Sequence, residues 1–419
     1  MSVKGKPAIV VAVCAAVALS SALIGCAAQG STAPSGQEVA SAEPTYQELI
    51  EMYPNEYNSA MTHKSDELGV DNSHAGFQAL METPAVRDVS GAILEVVDED
   101  DPRKTDVDLK CVACKSSKFV DLYEQNGVSA FTSMIVDDET MGVLDGQYWD
   151  CYSCHSWNDG KWDVGPNAAY ADAEIFPNVA EFLGSLNPKE AVCGQCHNTV
   201  SSRAYVKAEE DLESYDPYRY GYGLDERYQA MVEDGMYSVD EATGIKLVSM
   251  NHPQIEVFQD SIHQSMGLSC VSCHMVEDTD AEGTAFTSHD ASGTVAMKDS
   301  AMEYCLTCHS AQDGLETIED MRSFLKERQD AQAARQVEVE ANMGELYDGI
   351  LAAMESGSVD EATLEQAKEA YSMAYWYVKQ QQGNLIDPID GAQIAHNPDL
   401  LRSALERADV SVQEGLALL

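Results

Sequence analysis

Ten of the twelve cysteines fall in pairs three residues apart: Cys111/Cys114, Cys151/Cys154, Cys193/Cys196, Cys270/Cys273 and Cys305/Cys308. With cysteine at roughly 3% of the chain, a chance partner at i+3 has odds of about 0.03 each time. Five such pairs are no accident. Four are followed directly by a histidine (His155, His197, His274, His309), and the first by Lys115. CxxCH is the attachment pattern of c-type haem: two thiols form thioethers with the vinyl groups, and the next histidine reaches the iron as proximal ligand. Structural zinc would want two CxxC elements close together. Thioredoxin-like pairs need no trailing histidine and seldom recur. The pattern predicts five covalently attached haem c groups.

Six histidines remain after the four proximal ones: His63, His74, His252, His263, His289 and His396. A haem with histidine on both faces passes electrons without binding substrate, because both axial sites are filled. Four such haems take four of the six. The haem with Lys115 stands apart. Lysine ligates only as the neutral amine, so its site must strip a proton from a group whose ordinary pKa is ~10.4. A haem with a different proximal ligand is the natural seat of chemistry, and the other four read as wires.

The elements that position these groups are legible in outline. Lys4 and Lys6 precede an apolar run from Ala8 to Leu19, and Leu23-Ile24-Gly25-Cys26 is similar to a bacterial lipobox. Residues 1–25 are expected to be a lipoprotein signal peptide, with Cys26 lipidated. Residues 26–44 read as a flexible tether rich in Ala, Gly, Ser, Gln and Pro. The chain is then exported and held on a membrane by lipid alone, on the periplasmic or outer cell-surface side. Residues 45–315 form the pentahaem-binding region, and 316–419 a helical region continuous with it. There Gly357 ends one helix, Ser358-Val359-Asp360-Glu361 opens the next as a capping box, and Gly383 closes it. Leu364, Ala367, Tyr371, Ala374 and Val378 form a heptad stripe on that helix. Asn397-Pro398 opens a final helix. The stripe packs either on its own domain or against a second copy.

Asp and Glu outnumber Lys and Arg by 71 to 25, a net charge of −46. That excludes a general nucleic-acid binder, which needs a basic footprint. A hydrophobic content of 44% is ample for a packed core.

One CxxCK followed by four CxxCH, with the long gap before Cys270, resembles the pentahaem, ammonia-forming cytochrome c nitrite reductases from about Tyr46 to the C-terminus. The resemblance implies a mainly α, multihaem cytochrome c fold with five covalent haems and long C-terminal helices that make a homodimer. It implies nitrite or a related nitrogen oxide as substrate and a quinol-oxidising cytochrome as electron donor, in anaerobic respiration. It further implies His74, His263, His289 and His396 as the distal ligands, without saying which serves which haem. His63 is left over as a surface residue. Around the open face of the Lys115 haem the family places an Arg, a Tyr and a His. Arg87, thirteen residues after His74, matches the Arg, and Asn251-His252-Pro253 matches the His at His252. The Tyr departs: after His197 come Asn198-Thr199-Val200, so Thr199 replaces a Glu and Val200 the Tyr. Tyr205, Tyr218, Tyr220 and Tyr222 lie nearby. That Glu is also a calcium ligand in the family, as is the Gln replaced by Asn251. Losing a carboxylate weakens the calcium site that the resemblance implies. The alternative role is a pentahaem electron-transfer subunit serving a separate exported reductase; it keeps the wiring and drops the chemistry.

Overall fold

A computed structural model describes residues 43–61, 119–132, 150–158, 161–166, 168–199, 209–248, 250, 253–291, 295, 298–381 and 392–419. The lipobox with Cys26, His63, His74, Arg87, Cys111, Cys114, Lys115, Val200, Tyr205, Asn251, His252 and Gly383 lie outside the described residues. Val39–Leu419 forms one compact unit. Helix dominates, and the strands are three short antiparallel hairpins among the described residues.

The N-terminal part is built from short helices with local start signals. Helices α1 (Tyr46–Met52) and α2 (Pro54–Met61) come first. Thr45 and Glu48 cap α1 reciprocally, satisfying two orphan backbone donors. Helices α3 (Phe119–Asn126), α4 (Pro177–Ser185) and α5 (Pro188–Gly194) surround a core of Phe119, Leu122, Phe176, Val179, Leu183 and Ala191. Pro177 and Pro188 sit in the first turns of their helices, where a missing N–H costs nothing. Hairpin β1 (His155–Asn158)/β2 (Lys161–Val164) opens on a motif histidine, which pairs with Val164.

Helix α6 (Leu224–Glu233) is followed by hairpin β3 (Ser238–Val239)/β4 (Lys246–Leu247). Then come α7 (Gln254–Phe258), α8 (Ile262–Ser265), α9 (Cys270–His274) and hairpin β5 (Glu277–Thr279)/β6 (Ala285–Thr287). Helix α10 (Asp299–Asp313) carries the last motif and ends on Gly314 in the left-handed region, φ 72°, which suits a residue without Cβ.

The C-terminal part is three long helices: α11 (Ile318–Ser356), α12 (Glu361–Lys379) and α13 (Pro398–Leu416). At 39 residues, α11 runs about 58 Å. It starts on a Thr317–Asp320 capping box and stops at Gly357, φ 62°, as its sequence requires. The start of α12 is Asp360, whose carboxylate accepts from the Thr363 N–H at 2.8 Å, two residues after the expected Ser358. The end is Lys379. Asn397 caps α13 through the Leu400 N–H, with Pro398 in the first turn.

Of the two uses open to the heptad stripe, the structure shows packing on its own chain. Ala367, Ala374 and Val378 are buried, and Leu364 and Tyr371 pack on the same cluster with Val339, Leu346, Ile350, Leu405 and Val412 of α11 and α13. The stripe is therefore spent within one chain and is not available as a dimer seam. Its physical reason is the antiparallel return of α13, which offers a nearer apolar face. None of the helices among the described residues is long and apolar enough to cross a membrane.

Candidate haem-ligand array

Each described CxxCH motif lies on a helical turn, which keeps the two thiols close and the histidine beside them. Cys151–Ser153 is a 3-10 turn, with the Asp150 N–H donating to Ser153 Oγ at 3.2 Å. Cys193 lies in the last turn of α5, and the His197 N–H donates to the Cys193 carbonyl at 2.8 Å. Cys270–His274 is α9, and Cys305, Cys308 and His309 lie within α10.

The two cysteines of the third motif have different surroundings. The spacing gives Cys193 and Cys196 one role, the two thioethers of a haem. The structure separates their surroundings. Cys193 meets Cys270, whereas Cys196 is half-buried and packs against the apolar cluster that holds Phe119, Ala191 and Ile255. Its N–H donates to the Cys193 carbonyl at 3.1 Å, which fixes the turn. The physical reason is that a neutral thiol behaves as a small hydrophobe and fills core gaps. Cys305 packs in the same way on the cluster of Val276 and Met302. The thioethers of both cysteines belong to the functional proposal below.

The eight cysteines described form no disulfide with one another. Burial pushes Cys151, Cys154 and Cys273 up to about 12. The contact with Cys193, together with burial, raises Cys270 well above the ordinary thiol value. A thiol held neutral is a poor nucleophile, which disfavours redox-exchange chemistry. No group of three or more His, Cys, Asp or Glu side chains converges on a metal-sized site among the described residues.

The histidines pair face to face across the fold. The rings of His155 and His289 are 6.1 Å apart, tilted by 30°. Those of His274 and His396 are 6.1 Å apart and nearly parallel at 12°. Those of His263 and His309 are 6.4 Å apart at 67°. An imidazole nitrogen lies about 2 Å from a first-row metal and about 1 Å from its own ring centre, so two rings on opposite sides of one metal sit roughly 6 Å apart. All three pairs have that spacing. Each joins a motif histidine to one of the distal candidates.

The rings are also oriented. His289 Nδ1 faces the Thr287 carbonyl at 2.8 Å, His263 Nδ1 the Ala395 carbonyl at 3.1 Å, and His309 Nδ1 the Asp313 carboxylate at 2.6 Å. Tying Nδ1 to an acceptor leaves Nε2 to ligate a metal, and raises its basicity. Burial pushes His155 and His396 down to about 4 and lowers His263 and His289. A metal ligand must be neutral. The His155 ring is further fixed by stacking on Trp162, 4.9 Å away at 11°. The chemistry and spacing of these residues fit haem iron.

Side chains join the motifs into a series. Gln195, within the third, donates to the Ser153 carbonyl of the second at 3.1 Å. Cys193 and Cys270 touch, which joins the third and fourth. Lys298 Nζ donates to the His274 carbonyl at 3.1 Å and to the Asp290 carbonyl next to His289. Ala395, which anchors His263, immediately precedes His396.

His197 uses Nδ1 on Gln254 Oε1 at 3.3 Å, and its carbonyl accepts from the Ile255 N–H at 3.0 Å. The segment just after His252-Pro253 is thus clamped onto the third motif. Glu256, fully buried in the same segment, accepts from the Thr199 N–H at 2.8 Å, and burial raises its pKa. Of the tyrosines considered, Tyr218 donates to the Gly194 carbonyl inside the third motif at 2.6 Å. Tyr222 lies by Phe182 and feels the charges of Glu256 and Glu190. Tyr220 turns to the exposed Arg219–Asp234 pair.

Sequence reasoning missed Gln254, Asp313, Trp162 and the pair Arg227 and Glu256. Asp313 had a signal, since it follows His309 by one helical turn on α10. Trp162 and Arg227 had none, because tertiary packing brings them in.

Residues 83–417 match the family model of cytochrome c552. A cytochrome c-552 of Bacteroides thetaiotaomicron is 26% identical over 226 residues, covering 52% of this chain and 41% of that protein. A cytochrome c-552 of Haemophilus ducreyi is 25% identical over 184 residues, covering 41% of this chain and 33% of that protein. The chain thus spans well under half the length of these curated relatives. The solved cytochrome c nitrite reductase of Desulfovibrio desulfuricans, a catalytic subunit described with two calcium sites, superposes with a TM-score of 0.61. It is 16% identical and covers 91% of this chain and 87% of that one, a likeness of fold.

Proposed function

The chain belongs to the cytochrome c552 family, and from that premise we propose that it is a five-haem cytochrome reducing nitrite to ammonium at the haem whose proximal ligand is Lys115. The observation that carries the reading is the series of three facing histidine pairs at metal-spanning distance. Haem iron held by these pairs would supply one-electron redox chemistry, and the haem held by Lys115 would supply the place for a small nitrogen oxide.

The pairs support one assignment of the distal ligands. His289 serves the Cys151/Cys154 haem, His396 the Cys270/Cys273 haem and His263 the Cys305/Cys308 haem. That leaves His74 for the Cys193/Cys196 haem, opposite His197. Arg87 and His252 are the residues we assign to nitrite. Its oxygens leave as water, so they need cationic hydrogen-bond donors and a proton source titrating near neutrality, which histidine provides. Six electrons and eight protons convert one nitrite to ammonium and two waters. One centre cannot store them, so a linked series of carriers feeding single electrons suits the task.

The remaining assignments follow the same reading: a lipid on Cys26, an exported position at a membrane, a quinol-oxidising donor and a homodimer. Val200 in place of the family's Tyr favours the second reading, a carrier that feeds another reductase. Titrating the oxidised, haem-loaded protein with nitrite separates them. The enzyme has one high-spin ferric signal that nitrite abolishes, and Lys115→His alters it. A carrier with every axial site filled gives no nitrite-dependent change.

A further inference from the structure

Arg227 on α6 is among the largest fully buried side chains. A guanidinium stays protonated at any ordinary pH, so its charge must be balanced or spread inside the protein. Four groups from three parts of the chain do this. Gln380 Oε1, at the end of α12, accepts from Arg227 Nη2 at 2.6 Å. Thr199 Oγ1, just after the third motif, accepts from Nη1 at 3.4 Å. The Trp376 ring lies 5.2 Å below the guanidinium carbon. Glu256 on α7 faces it as the buried counter-charge.

Thr199 is the position at which the family resemblance calls for a calcium-binding carboxylate, and the Desulfovibrio desulfuricans structure of the same fold is described with two calcium sites. Calcium takes six to eight oxygen ligands, several of them charged. The oxygens here are committed elsewhere. Those of Thr199 and Gln380 receive guanidinium donors, and one of Glu256 receives the Thr199 N–H. Among the described residues only Glu256 Oε2 is left over. One carboxylate oxygen beside a fixed positive charge does not make a calcium site.

We infer that the Arg227 guanidinium stands in for a calcium ion, bracing the chain after the third haem motif against the segment that carries His252, and that this site binds no calcium. The charge that a relative takes from solution is supplied here by a side chain. Arg227 is far in sequence from Thr199 and Glu256, and three elements converge on it. The inference rests on the family reading only for where calcium would be expected.

The test uses the whole haem-loaded protein and does not involve nitrite. Its metal content is measured after dialysis with and without a calcium chelator, and its melting temperature is followed with added calcium or chelator. The expected result is no stoichiometric calcium and an unmoved melting temperature. One tightly held calcium per chain, or a melting temperature that falls with chelator, overturns the inference. Arg227→Gln is expected to lower the melting temperature by roughly 5–10 °C, and Arg227→Lys to recover part of the loss. Should Arg227→Gln not fold, the metal content of the unaltered protein still decides.

Discussion

At the residue scale the account turns on six imidazoles. Removing one ring of a facing pair frees an axial position. His289→Ala should therefore let the reduced protein bind one more carbon monoxide per chain than the unaltered protein, and His396→Ala the same; unchanged stoichiometry would contradict the pairing. Asp313 bonds His309 at 2.6 Å, so Asp313→Asn should shift the reduction potential of that one haem in a spectroscopic titration. The attachment motifs were legible in the sequence, because covalent chemistry demands two thiols and a histidine within five residues. The apolar packing of Cys196 was not, since it depends on α3 and α7 arriving from elsewhere in the chain. Nor was the pairing of distal ligands. His155 and His289 meet only because β5/β6 turns the chain back toward the second motif, and His263 meets His309 only because Ala395 holds its ring. The active-site tyrosine stays a departure at Val200, while Tyr218 is spent on the Gly194 carbonyl.

At the element scale, the long C-terminal helices hold the array from one side. Trp376 is fully buried and donates to the Leu224 carbonyl at 2.9 Å, tying α12 to α6. Trp376→Ala should cost about 3–5 kcal/mol in chemical unfolding of the holoprotein. Helices α11, α12 and α13 meet at Gly415, where an added Cβ would lie 2.8 Å from Leu346 Cδ2 and 3.1 Å from Ala370 Cβ. Gly415→Val should destabilise by about 1–3 kcal/mol through overpacking. Helix ends were legible at Gly357 and Asn397, since capping is local chemistry. The partner of the Leu364–Val378 stripe was not, because an apolar face states what it needs and not which neighbour supplies it. The short helices around the motifs were also hidden; their faces are shaped for the groups they carry as much as for one another.

At the scale of the whole molecule, 71 acidic against 25 basic residues leave a strongly self-repelling surface. Its melting temperature should rise with sodium chloride as the Debye length shortens from about 30 Å at 0.01 M to about 8 Å at 0.15 M. If nitrite is the substrate, as proposed, the same charge disfavours it at a distance and places the burden of anion capture on local cations such as Arg87. Second to third to fourth, the motifs are linked in one series, with Lys298 and Ala395 joining the histidine pairs, and the proposed reading uses that series as a path for electrons. The lysine motif stands first in sequence, and in the proposed reading it gives that path its end point. The most direct measurement is an electron and nitrogen balance on the haem-loaded protein with a reduced viologen as donor. The account predicts six electrons consumed and one ammonium formed for each nitrite, with Lys115→His and His252→Ala each slowing turnover. Full haem loading with no nitrite consumed, or with a product other than ammonium, would contradict it.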